Sequence, residues 1–226
     1  MSIKKIIAIG SAKGGVGKSS ITASLAVSMS KSHKVGILDA DIYTPNQHIL
    51  FEIDPINSSS DNKKLIKPFI KNNIHFLSAG LIFNPNEAIL WRGPILSSVT
   101  KKLISRFKDC ELDYLLIDMP PGTGDSYLTI FNEFDVDEFI LITTPNKLSI
   151  SDSIRTISLL KKLKVKTLGC IENNILGLHG INVSFFKKNN INFLGTIGFE
   201  EEIYNFNYDQ VPDSIKAISD KIIKSV

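Results

Sequence analysis

The stretch Ser11–Ser20, SAKGGVGKSS, gathers the residue types that hold phosphate. Its glycines let successive backbone N–H groups point into one concavity, which suits anionic oxygens, and a helix opening near Gly17 adds its positive end. Lys18 is spaced to reach β- and γ-phosphates, and the Ser19 hydroxyl to ligate Mg²⁺. The usual G-x-x-x-x-G-K-[S/T] pattern is broken at its first position, where Ala12 stands for glycine. Phosphate binding survives this if Ala12 keeps a negative φ, because alanine is penalised only at positive φ. The candidate nucleotide-binding set is Ala12, Lys13, Gly14, Gly15, Val16, Gly17, Lys18, Ser19 and Ser20. Lys13 exceeds what the pattern requires. Either it is a solvated side chain, or it crosses to the nucleotide of a second subunit. There it would stabilise transition-state charge as an arginine finger does, an effect of ~10³–10⁵ in rate. The second reading needs a face-to-face homodimer, which two-fold symmetry permits.

Carboxylates come next. ILDADIYTPN places Asp39 at a strand end and Asp41 just beyond, and LLIDMPPGTGD places Asp118 at another strand end before a turn that cannot continue the strand. A carboxylate ending a strand beside the phosphate loop is where a water-bridged Mg²⁺ contact belongs, so Ser19, Asp39 and Asp118 form the candidate metal set. Asp41, further out, is placed to orient an attacking water; the alternative is that these aspartates cap the segments that follow. The candidate catalytic groups are Lys13, Lys18 and Asp41. Gly122 and Gly124 leave the segment after Asp118 free to respond to a γ-phosphate. A guanine-reading N-K-x-D is absent, since Asn146-Lys147-Leu148 is followed by Ser149, while Asn173 ends a strand where an amide could read adenine. ATP is the expected nucleotide.

These groups need a scaffold. Near-continuous apolar runs at 6–10, 34–39, 74–80, 113–118, 138–144, 166–173 and 191–197 predict strands covered on both faces, with helices over 19–32 and 149–163. Serines and an aspartate suit the start of the second helix, and lysines its end. Alternation of strand and helix predicts an α/β fold, a doubly wound and mostly parallel sheet in a three-layer sandwich, with ligands at the carboxyl ends of the strands. The chain of 226 residues suits one such domain spanning 1–226. The polar stretch 54–64 is a surface insertion or a lid. The apolar N-terminus runs straight into the glycine-rich loop and reads as a first buried strand rather than a signal peptide, and no run is long enough to span a bilayer, so a cytoplasmic protein is expected. A net charge of +3 does not argue for nucleic acid, and KKLKVK at 161–166 reads as a solvated helix end. Ile215, Ile218, Ile222 and Val226 share one face of a C-terminal helix without large aromatics, which favours docking on the protein's own core over lipid. Neither nucleic acid nor membrane is expected as a partner.

With these residues placed, the sequence resembles the Mrp (ApbC) family of P-loop ATPases, iron–sulfur cluster carriers within the wider MinD/ParA group. The resemblance rests on AKGGVGKSS, LDADIYTPN, WRGPILSS at 91–98, LDYLLIDMPPGTGD, TTPNKLS and IENN. It implies that Lys13 acts in trans, that Lys18 and Ser19 bind phosphate and Mg²⁺, that Asp41 serves the hydrolytic switch and Asp118 the metal's outer shell, and that Asn173 reads adenine. For Trp91 to Pro94 physics offers only a helix start, Pro94 fitting a first turn. Two departures stand out. The family's Cys-Pro-x-Cys pair is replaced by ENNILGLHGINV, and Gly198 stands where a proline is usual. Cys110 and Cys170 lie elsewhere and read as buried small hydrophobes, and His179 has no partner motif. The expectation is a Mg²⁺-dependent, ATP-hydrolysing dimeric switch in iron–sulfur cluster assembly or delivery, whether or not a cluster is ever bound, working with an assembly partner or other protein client. The alternative is a MinD/ParA-like positioning ATPase acting on membrane, DNA or a protein client.

Overall fold

The computed structural model describes residues 3–53, 68–81, 93–107, 110–122, 124–178 and 183–225. The strands are β1 (Ile3–Ser11), β2 (Val35–Asp39), β3 (Phe69–Lys71), β4 (Ile74–Ser78), β5 (Leu112–Asp118), β6 (Glu138–Thr143), β7 (Lys166–Asn173) and β8 (Phe193–Ile197). The helices are α1 (Lys18–Met29), α2 (Gln47–Leu50), α3 (Gly93–Ser105), α4 (Asp125–Glu133), α5 (Lys147–Lys162), α6 (Val183–Lys188), α7 (Glu201–Tyr204) and α8 (Asp213–Lys224). One sheet runs in the order β3-β4-β2-β5-β1-β6-β7-β8, parallel throughout except at β3–β4.

The apolar runs bury both faces by simple alternation. Ile7 and Ile9 of β1 join Ile37, Leu116, Ile140 and Ile171 in a core closed by α1 and α8. Ala8 joins Leu38, Leu115, Phe139, Leu141 and Cys170 in a second core closed by residues of α3, α4, α5 and α6. This is the doubly wound three-layer sandwich expected. The sheet's order changes direction at β1, whose neighbours are β5 and β6. In the β1–β5–β2 register Ile9 pairs with Asp118, and Asp118 with Asp39. Two carboxylates therefore lie side by side at the strand ends, against the start of the glycine-rich loop.

The C-terminal helix behaves as its periodicity predicts. Ile215, Ile218 and Ile222 of α8 are buried in the first core, and Ser219 bonds Ser28 of α1 at 2.7 Å. Burial is worth roughly 1.5–3 kcal/mol for each such side chain, so this face already has its partner. No helix among the described residues is long and apolar enough to cross a membrane.

Three details differ from expectation. The helix expected at 149–163 starts at Lys147, and its cap is Asn146, whose side chain accepts from Ser149 N at 2.8 Å, rather than the serines that follow. The run at 74–80 ends as a strand at Ser78 and turns into a 3₁₀ segment, Ala79–Leu81. An antiparallel edge strand, β3, precedes it through the turn Asn72–Asn73, both at positive φ (50° and 61°). That turn suits a two-residue hairpin, and the Asn-Asn pair was its signal. Pro94 does sit in the first turn of α3. The stretch 54–64, Trp91 and Arg92 lie outside the described residues.

At the opposite end of the sheet Glu138 is buried at the start of β6 and clamped by Lys5 of β1 at 2.7 Å and by Lys166 of β7. Burial alone would raise its pKa, but the two lysines outweigh that and hold it below the ordinary 4.5. A depressed carboxylate contributes stability that is present above its unfolded pKa and lost as pH falls through the folded one. Glu138→Gln is therefore expected to lower stability at neutral pH and to flatten its decline below about pH 4.5. Urea unfolding from pH 7 to pH 3 measures this; parallel curves for the two proteins would contradict the clamp.

Candidate functional site

The glycine-rich loop joins the end of β1 to α1. Gly15 and Gly17 have φ of 75° and 81°, and Ala12 is not among the residues with positive φ, so the departure from the usual pattern costs no strain. Gly17 is required twice over: a Cβ there would stand 2.4 Å from the Asn173 amide nitrogen. As the cap of α1 it offers no side chain to the first turn, which leaves those backbone N–H groups to a ligand. Ser11 closes the loop from below, its hydroxyl donating to Lys13 O at 2.7 Å.

Lys18 and Asp118 form a buried ion pair, and the Lys18 ammonium also lies 3.3 Å from the Ser19 hydroxyl. The other Asp118 oxygen accepts from the Gln47 amide at 2.8 Å, and the same amide nitrogen donates to Ser19 O at 2.9 Å. Asp39 is fully buried and accepts from the backbone N–H groups of Asp41, Asn46 and Gln47 and from the Ser78 hydroxyl. Burial first, and then repulsion from Asp118, push its pKa up to about 7. Asp41 accepts from the Thr44 N–H and hydroxyl, at 3.1 and 2.9 Å. It lines a cleft of about 340 Å³ together with Lys13, Gly15, Lys18, Ser19 and Thr44. The structure thus brings together the loop, Lys18, Ser19, Asp39, Asp41 and Asp118.

Two further placements extend this picture. Lys13 is ion-paired with Asp152 of α5 at 3.0 Å, which also binds Arg155 at 3.1 Å. Asn173 donates to Val16 O at 2.9 Å and is thereby held beside α1, with its amide oxygen facing away from that bond. Val16 and Ser20 flank the loop on this side, where a second cleft of about 250 Å³ opens between Gly17, Ser20, Asn173 and the 198–204 segment.

Sequence reasoning missed Gln47, Ser78, Thr44 and Asp152. Thr44 had a signal, since an aspartate followed three residues later by threonine often closes a local turn. The others had none: their partners are far apart in the chain and meet only through the sheet.

The cysteines do not join the site. Cys170 is buried in the second core, its thiol pushed up by burial and then by Glu172, and Cys110 is half-buried against the same core. No group of three or more His, Cys, Asp or Glu side chains able to hold a metal ion occurs among the described residues. His179 lies outside them. The turn that replaces the Cys-Pro-x-Cys pair is closed by Asn174, whose side chain bonds both the N–H and the C=O of Leu178 at 2.9 Å.

Fold and loop together define a P-loop NTPase of the MinD/ParA type. Residues 2–224 match the family model described as ParA, NUBPL iron-transfer P-loop NTPase, and the chain belongs to that family. It is 43% identical over 189 residues to an iron-sulfur cluster carrier protein of Rickettsia conorii, covering 83% of this chain and 56% of the relative. It is 41% identical over 205 residues to the protein of that name in Rickettsia typhi, covering 90% and 64%. The chain therefore spans between about half and two thirds of the length of these curated relatives. Among solved structures, a nucleotide-binding protein of Archaeoglobus fulgidus in complex with ADP superposes with a TM-score of 0.72 at 28% identity, covering 96% of this chain and 88% of that one. MinD of Pyrococcus horikoshii complexed with Mg-ADP gives 0.74 at 20% identity, covering 98% and 96%, and shares the fold.

Removing one member of a buried ion pair leaves a charge without compensation, at about 3–5 kcal/mol. Lys18→Met is expected to destabilise the nucleotide-free protein by that order, and adding Asp118→Asn to restore part of the loss. Chemical denaturation without Mg²⁺ reads this directly; an additive double variant would show that the two side chains do not interact.

Proposed function

We propose that this chain is a Mg²⁺-dependent, ATP-hydrolysing switch that works as a homodimer in the cytoplasm and serves iron–sulfur cluster delivery. One observation carries the reading: an open helix N-terminus, Lys18, Ser19 and Asp41 line one cleft at the carboxyl ends of β1, β2 and β5, with Asp118 buried behind it and paired to Lys18. The relatives' name, iron-sulfur cluster carrier protein, supplies the biological direction.

In this reading the loop N–H groups hold the phosphates, and Lys18 turns from Asp118 to the β- and γ-phosphate oxygens. Asp118 is then left beside Ser19 with Asp39 behind it, a set of hard oxygen donors that suits Mg²⁺. The Gln47 Oε1 atom, buried without a hydrogen bond among the described residues, gives the same locality a further acceptor for a metal-bound water. Mg²⁺, when bound, would neutralise charge developing on the phosphate oxygens. Asp41 orients the attacking water from a carboxylate already fixed by Thr44, and Lys13 leaves Asp152 for the nucleotide of the other subunit.

The cluster itself is cargo, and this chain's residues do not fit the family's way of holding it. The turn at 174–178 carries no cysteine, and Cys170 is sealed in the core. The thiolates for a cluster are accordingly assigned to the client, and the ATPase supplies the timing.

Asp41→Ala is expected to lower γ-phosphate release by at least about 10²-fold, the scale of general acid–base and water-positioning groups. Lys13→Ala should cost about 10³-fold or more while leaving ATP binding by the single chain unchanged. Phosphate-release and equilibrium-binding assays check both, and an unimpaired Lys13→Ala would remove the trans role. Anaerobic reconstitution of the protein alone is expected to give no stoichiometric iron and sulfide, with Cys110→Ser and Cys170→Ser indistinguishable from wild type. A transferable cluster lost in either variant would make the chain a carrier in its own right.

A further inference from the structure

The phosphate loop begins at Ser11, the last residue of β1, and two donors from one neighbouring segment meet on its carbonyl. Ile9 O accepts from Met119 N at 3.0 Å, and two residues on, by strand alternation, Ser11 O faces the same side. There it accepts from Gly122 N at 3.1 Å and from the Tyr127 hydroxyl at 3.4 Å. Ser11 is itself buried, and its own hydroxyl fixes the loop through Lys13 O. Gly122, at a φ of 88°, follows Pro121, which lines the cleft with Lys18, Ser19 and Asp41. Tyr127 stands in the first turn of α4 and is wholly buried, its ring centroid 6.0 Å from that of Phe131 and 6.1 Å from that of Phe139. Its approach to the strand end needs Gly10, where a Cβ would stand 2.3 Å from the tyrosine oxygen. Burial pushes the phenol's pKa up, so the hydroxyl keeps its proton and stays a donor.

We infer that Tyr127 is a positioning residue for the γ-phosphate-dependent step, its hydroxyl holding the Ser11 carbonyl when the Gly122 N–H leaves it for the γ-phosphate. The inference rests on the ATP-hydrolysing reading above. A phosphate oxygen carries charge and is a stronger acceptor than a peptide carbonyl, so a third phosphate in the cleft draws a nearby N–H group to itself. Gly122 can follow, because glycine moves between backbone conformations at no steric cost. A buried carbonyl that loses its donor bears the desolvation penalty in full unless a second donor is in place. A carbonyl oxygen has two lone pairs, and here Tyr127 already sits on one of them. With a diphosphate nothing draws Gly122 away, and the hydroxyl is redundant. With a triphosphate it becomes the donor that remains, and its 3.4 Å bond has room to shorten. Tyr127 therefore bears on the choice between ATP and ADP and leaves the grip on their shared phosphates alone.

The test compares two nucleotides. Equilibrium binding of Mg-ADP and of the non-hydrolysable Mg-β,γ-imido-ATP is measured on the full chain and on Tyr127→Phe, which keeps the ring and removes one oxygen. Affinity for ADP is expected to stay at the wild-type value and that for the imido analogue to fall roughly ten-fold, the scale of one orphaned buried acceptor. Phe131→Leu trims the same aromatic cluster at a residue with no hydroxyl, and is expected to lower stability to urea without changing the ratio of the two affinities. In wild type the ¹³Cζ resonance of Tyr127 is expected to move when the imido analogue replaces ADP, which reads the hydroxyl's hydrogen bond without any substitution. An equal loss for both nucleotides, an unchanged ratio, a stationary resonance, or the same change of ratio in Phe131→Leu would overturn the positioning role while leaving nucleotide binding in place. A wild-type chain that binds neither nucleotide would instead remove the ATP-hydrolysing reading, and this inference with it.

Discussion

Asp39 and Asp118 are neighbours on parallel strands, both fully buried, and nearly everything around the site follows from making that arrangement tolerable. Two carboxylates so placed repel each other in surroundings that screen charge poorly. One is answered by a cation, Lys18. The other is answered by donors: three backbone N–H groups and the Ser78 hydroxyl. The three N–H groups come from the Asp41–Gln47 segment, which lies over the strand ends, and the hydroxyl comes from the end of β4. Gln47 then reaches back to Asp118 and to Ser19, linking the segment to α1. The same electrostatic need that holds the resting loop together creates the place where a divalent cation would be most welcome.

The sheet was legible because its strands are covered on both faces, so they read as unbroken apolar runs; β1, β5 and β7 sit where their runs lie. β3 was not, being three residues long on an edge with one half-exposed face, and only Asn72–Asn73 marked it. The loop residues, Asp41, Asp118 and Asn173 were legible from type and from position at strand ends. Gln47 and Ser78 were not, because a glutamine or serine acquires meaning only from the charge it meets, and those meetings span 71 and 39 residues. Asp152 belongs to the same class. A carboxylate on a helix surface is ordinary until α5 is laid beside the loop and Lys13 is seen to touch it.

The departures from the family pattern are as informative as the agreements. Asn174 closes the 174–178 turn by hydrogen bonds, so the segment keeps a defined shape without the metal that cysteines there would bind. Its apolar side chains Ile175, Leu176 and Leu178 face outward instead. Cys170, one strand turn earlier, points into the second core and stays a protonated thiol there. Lys18 and Ser19 stand at the start of α1 beside the loop, while Cys170 is buried and Cys110 half-buried away from it.

The Lys13–Asp152 contact has a kinetic meaning. Both side chains are partly exposed, and an ion pair of that kind is worth about 0–1 kcal/mol. It is too weak to act as a lock. It leaves the ammonium on Asp152 of α5 while Lys18 is paired with Asp118. The pair therefore adds little to stability, and drawing Lys13 away from Asp152 costs correspondingly little.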